Sequence, residues 1–189
     1  MPKLGVEPIR KAALINAAIT MVGRTGSLDV TVAQIAREAG MSSALAHHYF
    51  GSKDKIFLAA MRQILSSYRD GVREALRDVT TPRARLDAIV TVSFATPNFD
   101  TNTVAAWLNF YALALVDPAA ARLLRVYRNR LRSNLLTALN PLVPERAQDV
   151  AETLGALIDG VYLRAALSEK PDASMAERIV QDFLREILA

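Results

Sequence analysis

The sequence predicts an all-α protein of about nine helices, and three observations support that fold class. Apolar residues recur at helical spacing along nearly the whole chain of 189 residues, and no segment shows a convincing strand-like alternation. Glycines, prolines and capping side chains interrupt this pattern where helices should start and stop. Hydrophobic residues make up 51% of the chain and charged residues 22%, so it can bury a sizeable core and is not a disordered chain.

The composition also excludes several kinds of site. Cysteine is absent, which removes disulfides, thiolate metal sites, iron–sulfur clusters and cysteine nucleophiles. The two histidines, His47 and His48, are adjacent, which disfavours zinc chemistry and any catalytic triad with a distant histidine. We therefore expect no metal site and no cofactor.

Hydropathy and the first residues bear on where the protein works. No stretch approaches the roughly 20 consecutive apolar residues of a membrane span. The first residues lack the long apolar core of a signal peptide. These features predict a soluble cytoplasmic protein.

Helix starts and stops are clearly marked in the N-terminal third. Thr31 and Gln34 have the spacing of a capping box, and Gly40 ends the helix that they open because glycine tolerates the left-handed conformation. Ser42 or Ser43 caps the next helix. The helices predicted here are Ile9–Val22, Val32–Ala39, a short helix ending near Tyr49, and a long helix from Lys53 to about Asp78.

Proline marks the joints in the rest of the chain. Thr81-Pro82 and Asp117-Pro118 each place a capping side chain before a proline at the first helical position. Pro97 is expected to end the helix that Pro82 opens. Further helices are predicted from about Thr101 to Val116, from Pro118 to about Asn140, from Pro144 to about Ser168, and from Ala173 to Leu188.

The two short helices on either side of Gly40 cannot bury enough surface alone, so they need the first helix behind them. Their expected inward set is Val32, Ile35, Ala36, Ala39, Met41, Leu45 and Phe50. The expected exposed set on the second helix is Ser42, Ser43, Ala44, Ala46, His47 and His48, with Tyr49 at its end. These exposed side chains are small or form hydrogen bonds, as a helix in the DNA major groove requires.

Charge is unevenly distributed along the chain. Residues 1–70 hold nine Lys/Arg against five Asp/Glu, whereas residues 71–189 hold fourteen of each. A basic excess confined to one region indicates a polyanionic partner, most often nucleic acid. Lys53 and Lys55 begin a helix and could bind phosphates, and Lys3, Arg10 and Lys11 could form an N-terminal arm.

Taken alone, these observations leave open whether this region binds nucleic acid. The alternative is an ordinary helical hairpin with a solvated polar face. The predicted DNA-contacting residues are Lys3, Arg10, Thr31, Ser42, Ser43, Ala44, His47, His48, Tyr49 and Lys53.

A more specific pattern lies in the same region. Ala36-x-x-Ala39-Gly40-x-Ser42, followed by His48-Tyr49-Phe50-x-x-Lys53, resembles the DNA-binding domain of the TetR family of regulators over residues 10–57. This resemblance implies a helix-turn-helix domain in residues 1–52, with the motif itself at about 31–50. It also implies double-stranded operator DNA as the partner of this segment, and a helical ligand-binding and dimerisation domain in residues 53–189.

Other segments resemble the BetI-type branch of that family. They are the opening Met1-Pro2-Lys3-Leu4-Gly5, the segment Ala105-Ala106-Trp107-Leu108, and the run from Ala156 to Ser168. The resemblance implies a choline-responsive repressor of the genes that convert choline to glycine betaine.

The second domain has aromatic residues and one carboxylate that suit a cationic ligand. Trp107 shares a helical face with aromatic neighbours, and Asp159 lies in an otherwise apolar stretch. A quaternary ammonium cannot donate an N–H hydrogen bond, so aromatic faces and one negative charge must hold it. The expected ligand-binding residues are Phe94, Phe99, Trp107, Phe110, Tyr111, Tyr127, Asp159 and Tyr162.

The alternative is that the aromatics fill a core and that Asp159 pairs with Arg125 or Arg128.

The last two helices carry more apolar residues than one bundle requires. This excess predicts a homodimer held by a four-helix bundle of these helices from two subunits. The residues concerned are Val150, Leu154, Leu157, Val161, Ala165, Met175, Ile179, Phe183, Leu184 and Ile187.

Three other functions remain open at this point. One is a TetR-type repressor that responds to another small cationic or apolar ligand. The others are a helical small-molecule enzyme and a helical adaptor that does not bind DNA. An enzyme is disfavoured because the histidines have no matched carboxylate or nucleophile pattern and the chain has no phosphate-binding loop.

Overall fold

A computed structural model of the protein describes residues 5–188, apart from the side chain of Ala166. Within this range the chain is helical and contains no strand, which confirms the all-α class. The helices are α1 (Val6–Thr25), α2 (Val32–Glu38), α3 (Ser43–Phe50), α4 (Lys53–Ala75), α5 (Pro82–Ser93), α6 (Thr96–Phe99), α7 (Thr101–Ala114), α8 (Pro118–Leu139), α9 (Ala147–Ala166) and α10 (Ala173–Ile187). The predicted number of about nine agrees with these helices, since α6 is a single turn of four residues.

The expectation that Pro97 ends α5 is wrong. That helix ends at Ser93, and Pro97 instead lies in the first turn of α6, where its missing N–H costs no hydrogen bond. The Asn98 side chain donates to the Val92 carbonyl (2.7 Å), which satisfies one acceptor at the end of α5. The other helix ends lie within about three residues of the predicted ones, as expected for ends that fray.

The helices form two compact units. The first comprises the residues up to Ile64 together with Thr101–Leu123, and the second comprises Leu65–Asp100 together with the residues from Leu124 onward. The predicted boundary after residue 52 concerns the roles of the segments, which packing does not test, and it stays a prediction.

The first unit is built around α1. Its helix packs against α2 and along α7, and α2 packs against α3. The fully buried side chains at the centre include Leu14, Ala18, Ile35, Ala36, Ala46 and Ile56. The short helices α2 and α3 are therefore held by a third helix, as their length requires.

The second unit is built around α9 and α10, and α10 also packs against α5. Hydrogen bonds join α5 to α10: the Thr91 hydroxyl donates to Glu177 (2.5 Å), and the Gln181 side chain donates to the Asp87 carbonyl (3.4 Å). Fully buried side chains of this unit include Leu86, Ile89, Leu135, Leu139, Leu154 and Leu184.

No helix among residues 5–188 is by itself long and apolar enough to cross a membrane. Among the described helices, α7 and α8 taken together across a sharp bend are the one pair that reaches the length and hydropathy of a span.

Candidate functional site

The turn between α2 and α3 is fixed at both ends by hydrogen bonds to the backbone. At the start of α2, the Thr31 hydroxyl accepts from the Gln34 N–H (3.2 Å), and the Gln34 side chain accepts from the Thr31 N–H (2.7 Å). At its end, the Met41 N–H donates to the Ala36 carbonyl (2.8 Å), and Gly40 has a φ of +67°. This is a Schellman motif, which sets the angle at which the chain enters α3.

One face of α3 is exposed, and the opposite face packs into the first unit. The exposed face consists of Ser43, Ala44, His47 and His48. The packed face consists of Leu45, Ala46, Tyr49 and Phe50. The expectation that Ala46 is exposed is wrong: it is fully buried, because it lies three and four residues before Tyr49 and Phe50 and so shares their packed face. Its methyl side chain lets α3 approach the core closely.

Two of the predicted DNA-contacting hydroxyls take part in helix caps. The Ser42 side chain accepts from the Leu45 N–H (3.3 Å) and caps α3. The Thr31 hydroxyl caps α2 and also lies 3.0 Å from the Gln34 side-chain oxygen. Both residues are exposed, so they stand beside the exposed face of α3. Their predicted contact with DNA stays a prediction.

The aromatic end of α3 has defined geometry. His47 Nδ1 donates to the Gly51 carbonyl (3.3 Å), so in the neutral ring Nε2 is an acceptor. The rings of His48 and Tyr49 lie 5.6 Å apart. The Lys11 ammonium lies 5.9 Å from the Tyr49 ring and also pairs with Glu7, and this ammonium lowers the pKa of the Glu7 carboxyl.

The basic residues near α3 fall into two groups. Lys53 is half-buried, and its ammonium donates to the Leu28 carbonyl (3.3 Å), so it ties α4 to the segment that follows α1. Lys55 and Arg10 are exposed, as a phosphate contact requires. The prediction for Lys3 lies outside the described residues. Sequence reasoning grouped Lys53 with Lys55 because both sit in the first turn of α4.

The first unit thus presents the parts of a groove-reading surface. A capped helix exposes two imidazoles, a hydroxyl and a methyl group on one face, with basic side chains on the adjoining helices. Imidazole nitrogens and hydroxyls can pair with base edges, and methyl groups can contact thymine.

The predicted ligand-binding aromatics divide between the two units. Trp107, Phe110 and Tyr111 lie in the first unit, where the Trp107 ring is 5.5 Å from Phe110 and 5.4 Å from Tyr111. Trp107 and Phe110 are buried. The remaining predicted residues, Phe94, Phe99, Tyr127, Asp159 and Tyr162, lie in the second unit.

In the second unit, the hydroxyl of Tyr68 contacts Ser93 at the buried end of α5, and that of Tyr127 contacts the Asp159 carboxylate of α9. Tyr127 donates to Asp159 Oδ1 (3.2 Å), and its ring meets that of Tyr68 edge-on at 5.7 Å. The Tyr68 hydroxyl lies 3.1 Å from Ser93 Oγ, and Ser93 donates to the Ile89 carbonyl (2.9 Å). Because the serine proton goes to that carbonyl, Tyr68 is the donor to Ser93. We call Tyr68, Ser93, Tyr127 and Asp159 the tyrosine–aspartate cluster.

Tyr68 and Ser93 are the members of this cluster that sequence reasoning missed, and Tyr68 is the more informative of the two. Burial raises its pKa to about 12, and the nearby Asp159 charge acts in the same direction. Its position in the apolar pattern of α4 indicated a packing residue, and nothing in its immediate sequence distinguishes it. The signal that could have found it is a polar hydroxyl on an otherwise apolar face, which needs a partner when buried.

A second group of rings adjoins this cluster along the same helices. The Phe99 ring meets Tyr162 edge-on at 5.5 Å and lies 6.3 Å from Phe94. The Tyr162 hydroxyl donates to the Asn98 carbonyl (2.7 Å). Phe94 follows Ser93 directly, and Tyr162 lies one helical turn after Asp159, so rings and carboxylate share one region of the second unit.

The chemistry of this region is a carboxylate beside aromatic rings whose hydroxyls point at other protein groups. Such a set attracts a cation by charge and by ring quadrupoles. The arginines of the alternative interpretation, Arg125 and Arg128, are exposed on α8.

Comparison with known families matches both parts of the chain. Residues 14–60 match the bacterial regulatory proteins of the tetR family, and residues 82–189 match the C-terminal domain of BetI-type transcriptional repressors. The HTH-type transcriptional regulator BetI of Brucella anthropi is 50% identical over 186 residues, which cover 97% of this chain and 96% of that protein. The regulator of the same name from Rhizobium meliloti is 45% identical and covers 97% of this chain and 92% of that protein.

Solved structures share the fold. A transcriptional regulator from Pseudomonas aeruginosa PAO1 is 26% identical, with a TM-score of 0.83 over 98% of this chain and 92% of that one. A transcriptional regulator from Saccharomonospora viridis, solved in complex with choline, is 22% identical, with a TM-score of 0.84 over 93% of this chain and 95% of that one. From the family matches and the identity to full-length relatives, the chain belongs to the TetR family and is a BetI-type transcriptional repressor rather than an enzyme.

Proposed function

We propose that this repressor binds operator DNA as a homodimer, that choline controls this binding, and that its targets are the genes for glycine-betaine synthesis from choline. Relatives named BetI at 45% and 50% identity support the targets. The choline complex of a protein with the same fold supports the ligand.

The observation that carries the ligand proposal is the contact of Tyr127 with Asp159 beside the Tyr68 ring. This places a half-buried carboxylate next to aromatic surface inside the second unit. Asp159 would supply the countercharge for the trimethylammonium group, and the rings of the region would surround its methyl groups. The contacts of Trp107, Phe110 and Tyr111 with the ligand stay predictions.

On the DNA side, the exposed face of α3 would read base edges in the major groove, with His47 and His48 as the hydrogen-bonding side chains. Lys55 and Arg10 would contact phosphates.

The homodimer proposal is supported by apolar side chains on α10. Met175 and Ile179 are exposed, and Phe183 and Ile187 continue the same line as half-buried residues. A second copy would cover this line together with Leu157 and Val161 of α9. Two copies would also present two recognition helices to the two half-sites of an operator.

The test of the ligand is calorimetric titration with choline, with glycine betaine and with the uncharged carbon isostere of choline. The matched variants are Asp159→Asn and Asp149→Asn, since Asp149 is an exposed carboxylate in the first turn of the same helix. Asp159→Asn should weaken choline binding by about tenfold or more, because it removes a partly buried charge. Binding of the isostere should change little, and Asp149→Asn should change neither.

Two outcomes would contradict the ligand proposal. If the protein does not bind choline, the second candidate applies: a repressor that responds to another small cationic or apolar ligand. If Asp159→Asn lowers thermal stability but not the preference for choline over its isostere, Asp159 is a structural residue. Operator binding is tested in parallel on the DNA upstream of the protein's own gene, with and without choline.

A further inference from the structure

Helix α7 belongs to the segment that matches the BetI-type C-terminal domain, yet it packs within the first unit. There it lies along α1, the helix that supports α2 and α3. In the last turn of α1 the two helices approach each other closely.

Gly23 is what permits that tight packing. A Cβ atom added at Gly23 would lie 2.5 Å from Asn102 Cα and 2.0 Å from Asn102 Oδ1. One of these atoms is backbone, so a rotamer change of Asn102 could not relieve the overlap. The first turn of α7 therefore rests directly on the backbone of α1.

Two further contacts involve the same turn of α1. Asn109, two turns along α7, donates from its side-chain amide to the Gly26 carbonyl (3.1 Å) at the end of α1. On its other side, Arg24 donates two hydrogen bonds to the Glu38 carboxylate of α2 (3.2 and 3.3 Å). Three residues at the end of α1, Gly23, Arg24 and Gly26, thus contact either α7 or the helix that leads into the DNA-reading turn.

We propose that Gly23 is a positioning residue that links operator binding to the state of α7, through the contact of its backbone with Asn102. A shift of the first turn of α7 would move the end of α1, because Asn102 lies against the Gly23 backbone and the glycine has no side chain to absorb the shift. The end of α1 in turn holds α2 through Arg24. This inference rests on the proposed function where it concerns choline.

The connection to the ligand site runs along the chain. Phe99, a ring of the proposed site, lies three residues before Asn102, and only Asp100 separates α6 from α7. A ligand that displaces Phe99 would therefore displace the first turn of α7. Through the contact at Gly23, this displacement would change the position of the end of α1 and of α2, which leads into the DNA-reading turn.

The decisive experiment does not need the ligand. Hydrogen exchange of the full chain is measured by mass spectrometry, with and without the DNA upstream of its gene. We expect operator DNA to slow exchange at residues 101–109 by about fivefold or more, the lower end of typical coupling between sites. Gly23→Ala should still bind the DNA but lose this slowing.

The matched control is Gly155→Ala. Gly155 is also a helical glycine, but a Cβ there would meet no atom within 4 Å, so this variant should keep the wild-type slowing. Because Gly23→Ala could fail to fold, Asn109→Ala serves as a second variant. It removes the hydrogen bond to the Gly26 carbonyl, together with the local bond that the same amide donates to the Ala105 carbonyl within α7. It should lose about half of the slowing or more.

A second arm measures the ratio of operator Kd values with and without choline. This ratio should differ from one in the wild type and in Gly155→Ala, and should approach one in Gly23→Ala, which still binds choline by calorimetry. A wild type that binds no choline overturns the proposed ligand, and the exchange arm then decides this inference alone. The inference is overturned if operator DNA does not slow exchange at residues 101–109, or if folded Gly23→Ala or Asn109→Ala keeps the full slowing.

Discussion

The recognition helix and the tyrosine–aspartate cluster use similar polar groups in opposite ways. On α3, the caps are satisfied by local backbone groups, and the imidazoles of His47 and His48 face outward. In the cluster, Tyr68 donates to Ser93, Ser93 donates to Ile89, and Tyr127 donates to Asp159. The exposed face of α3 keeps side-chain groups such as His47 Nε2 for a partner, whereas the cluster directs its hydroxyls to protein acceptors and presents ring surface and charge.

This difference predicts how substitutions in each region should affect binding affinity and stability. A substitution on the exposed face of α3 removes contacts with DNA and leaves the core intact, so affinity and stability should separate. A substitution in the cluster leaves a buried partner unsatisfied, so binding and stability should change together.

The largest effect should come from a residue in neither region. Ile179→Asp places a charge on the exposed line of α10, so the single chain can fold, but a dimer would bury that charge unpaired. The variant should sediment as a monomer at micromolar concentration. Its operator affinity should fall by about 100-fold or more, because two half-sites are no longer bound together.

Ser174→Asp, an exposed position on another side of α10, should remain dimeric and bind the operator normally. If the Ile179→Asp protein remains dimeric, the dimer interface does not include the exposed line of α10. The proposed assembly of the two subunits would then be wrong.

His48→Ala tests the outward-facing region. It should weaken operator binding by about 1–3 kcal/mol and affect DNA of random sequence far less, because His48 would read bases rather than phosphates. Its melting temperature should stay at the wild-type value. Asn129→Ala, which removes an exposed polar side chain from α8, is the control for a neutral surface change. Equal losses on operator and random DNA would argue against base readout by His48.

Lys53 and Lys55 allow the same comparison between two neighbouring side chains. The ammonium of Lys53 is bound to the Leu28 carbonyl, whereas Lys55 is exposed. Lys53→Gln removes the ammonium that donates to the Leu28 carbonyl, and should lower the free energy of unfolding by about 1 kcal/mol in urea titrations. Lys55→Gln should leave that free energy unchanged and reduce the salt slope of DNA binding by about one counterion.

If Lys53 also contacts DNA as predicted, Lys53→Gln should reduce the salt slope of DNA binding in addition to lowering stability. Identical unfolding curves for the two variants would mean that the contact with Leu28 contributes nothing.

The smallest effect concerns the buried hydroxyl of Tyr68. Its pKa is raised to about 12, above the ordinary value of 10, so the folded protein holds the phenol proton more tightly than the unfolded chain does. The resulting stability is complete below pH 10 and is lost as the pH rises through 12. At pH 11 the loss should be about 1 kcal/mol relative to pH 9. In Tyr68→Phe that part of the decline should be absent, and parallel pH profiles of the two proteins would refute the effect.

The same contrast explains what could be predicted from the sequence. The DNA-reading helices lie within one short segment, so capping residues, Gly40 and helical periodicity predict them directly. The position of Ala46 could not be predicted as easily, because alanine is common on both faces of a helix. The tight packing of α7 on Gly23 was missed because it joins residues 79 positions apart.

The ligand region was harder to predict because five helices contribute to it. Asp159 stands out in the sequence as a carboxylate among apolar residues, and its contact with Tyr127 joins two residues that were both predicted. Tyr68 and Ser93 read as ordinary members of amphipathic helices, and only the crossing of α4 with the end of α5 brings their hydroxyls within 3.1 Å. Trp107 shares a helical face with Phe110 and Tyr111 as expected, but packing groups all three with the first unit.

The way α3 is anchored has a consequence for how such a repressor diversifies. Its orientation depends on the backbone bonds around Gly40, on the Ser42 cap and on the buried Ala46. None of the four exposed positions, Ser43, Ala44, His47 and His48, is buried in the core. Substitutions there can therefore accumulate without loss of the fold, and a duplicated copy could acquire a new operator by changing a single helical face.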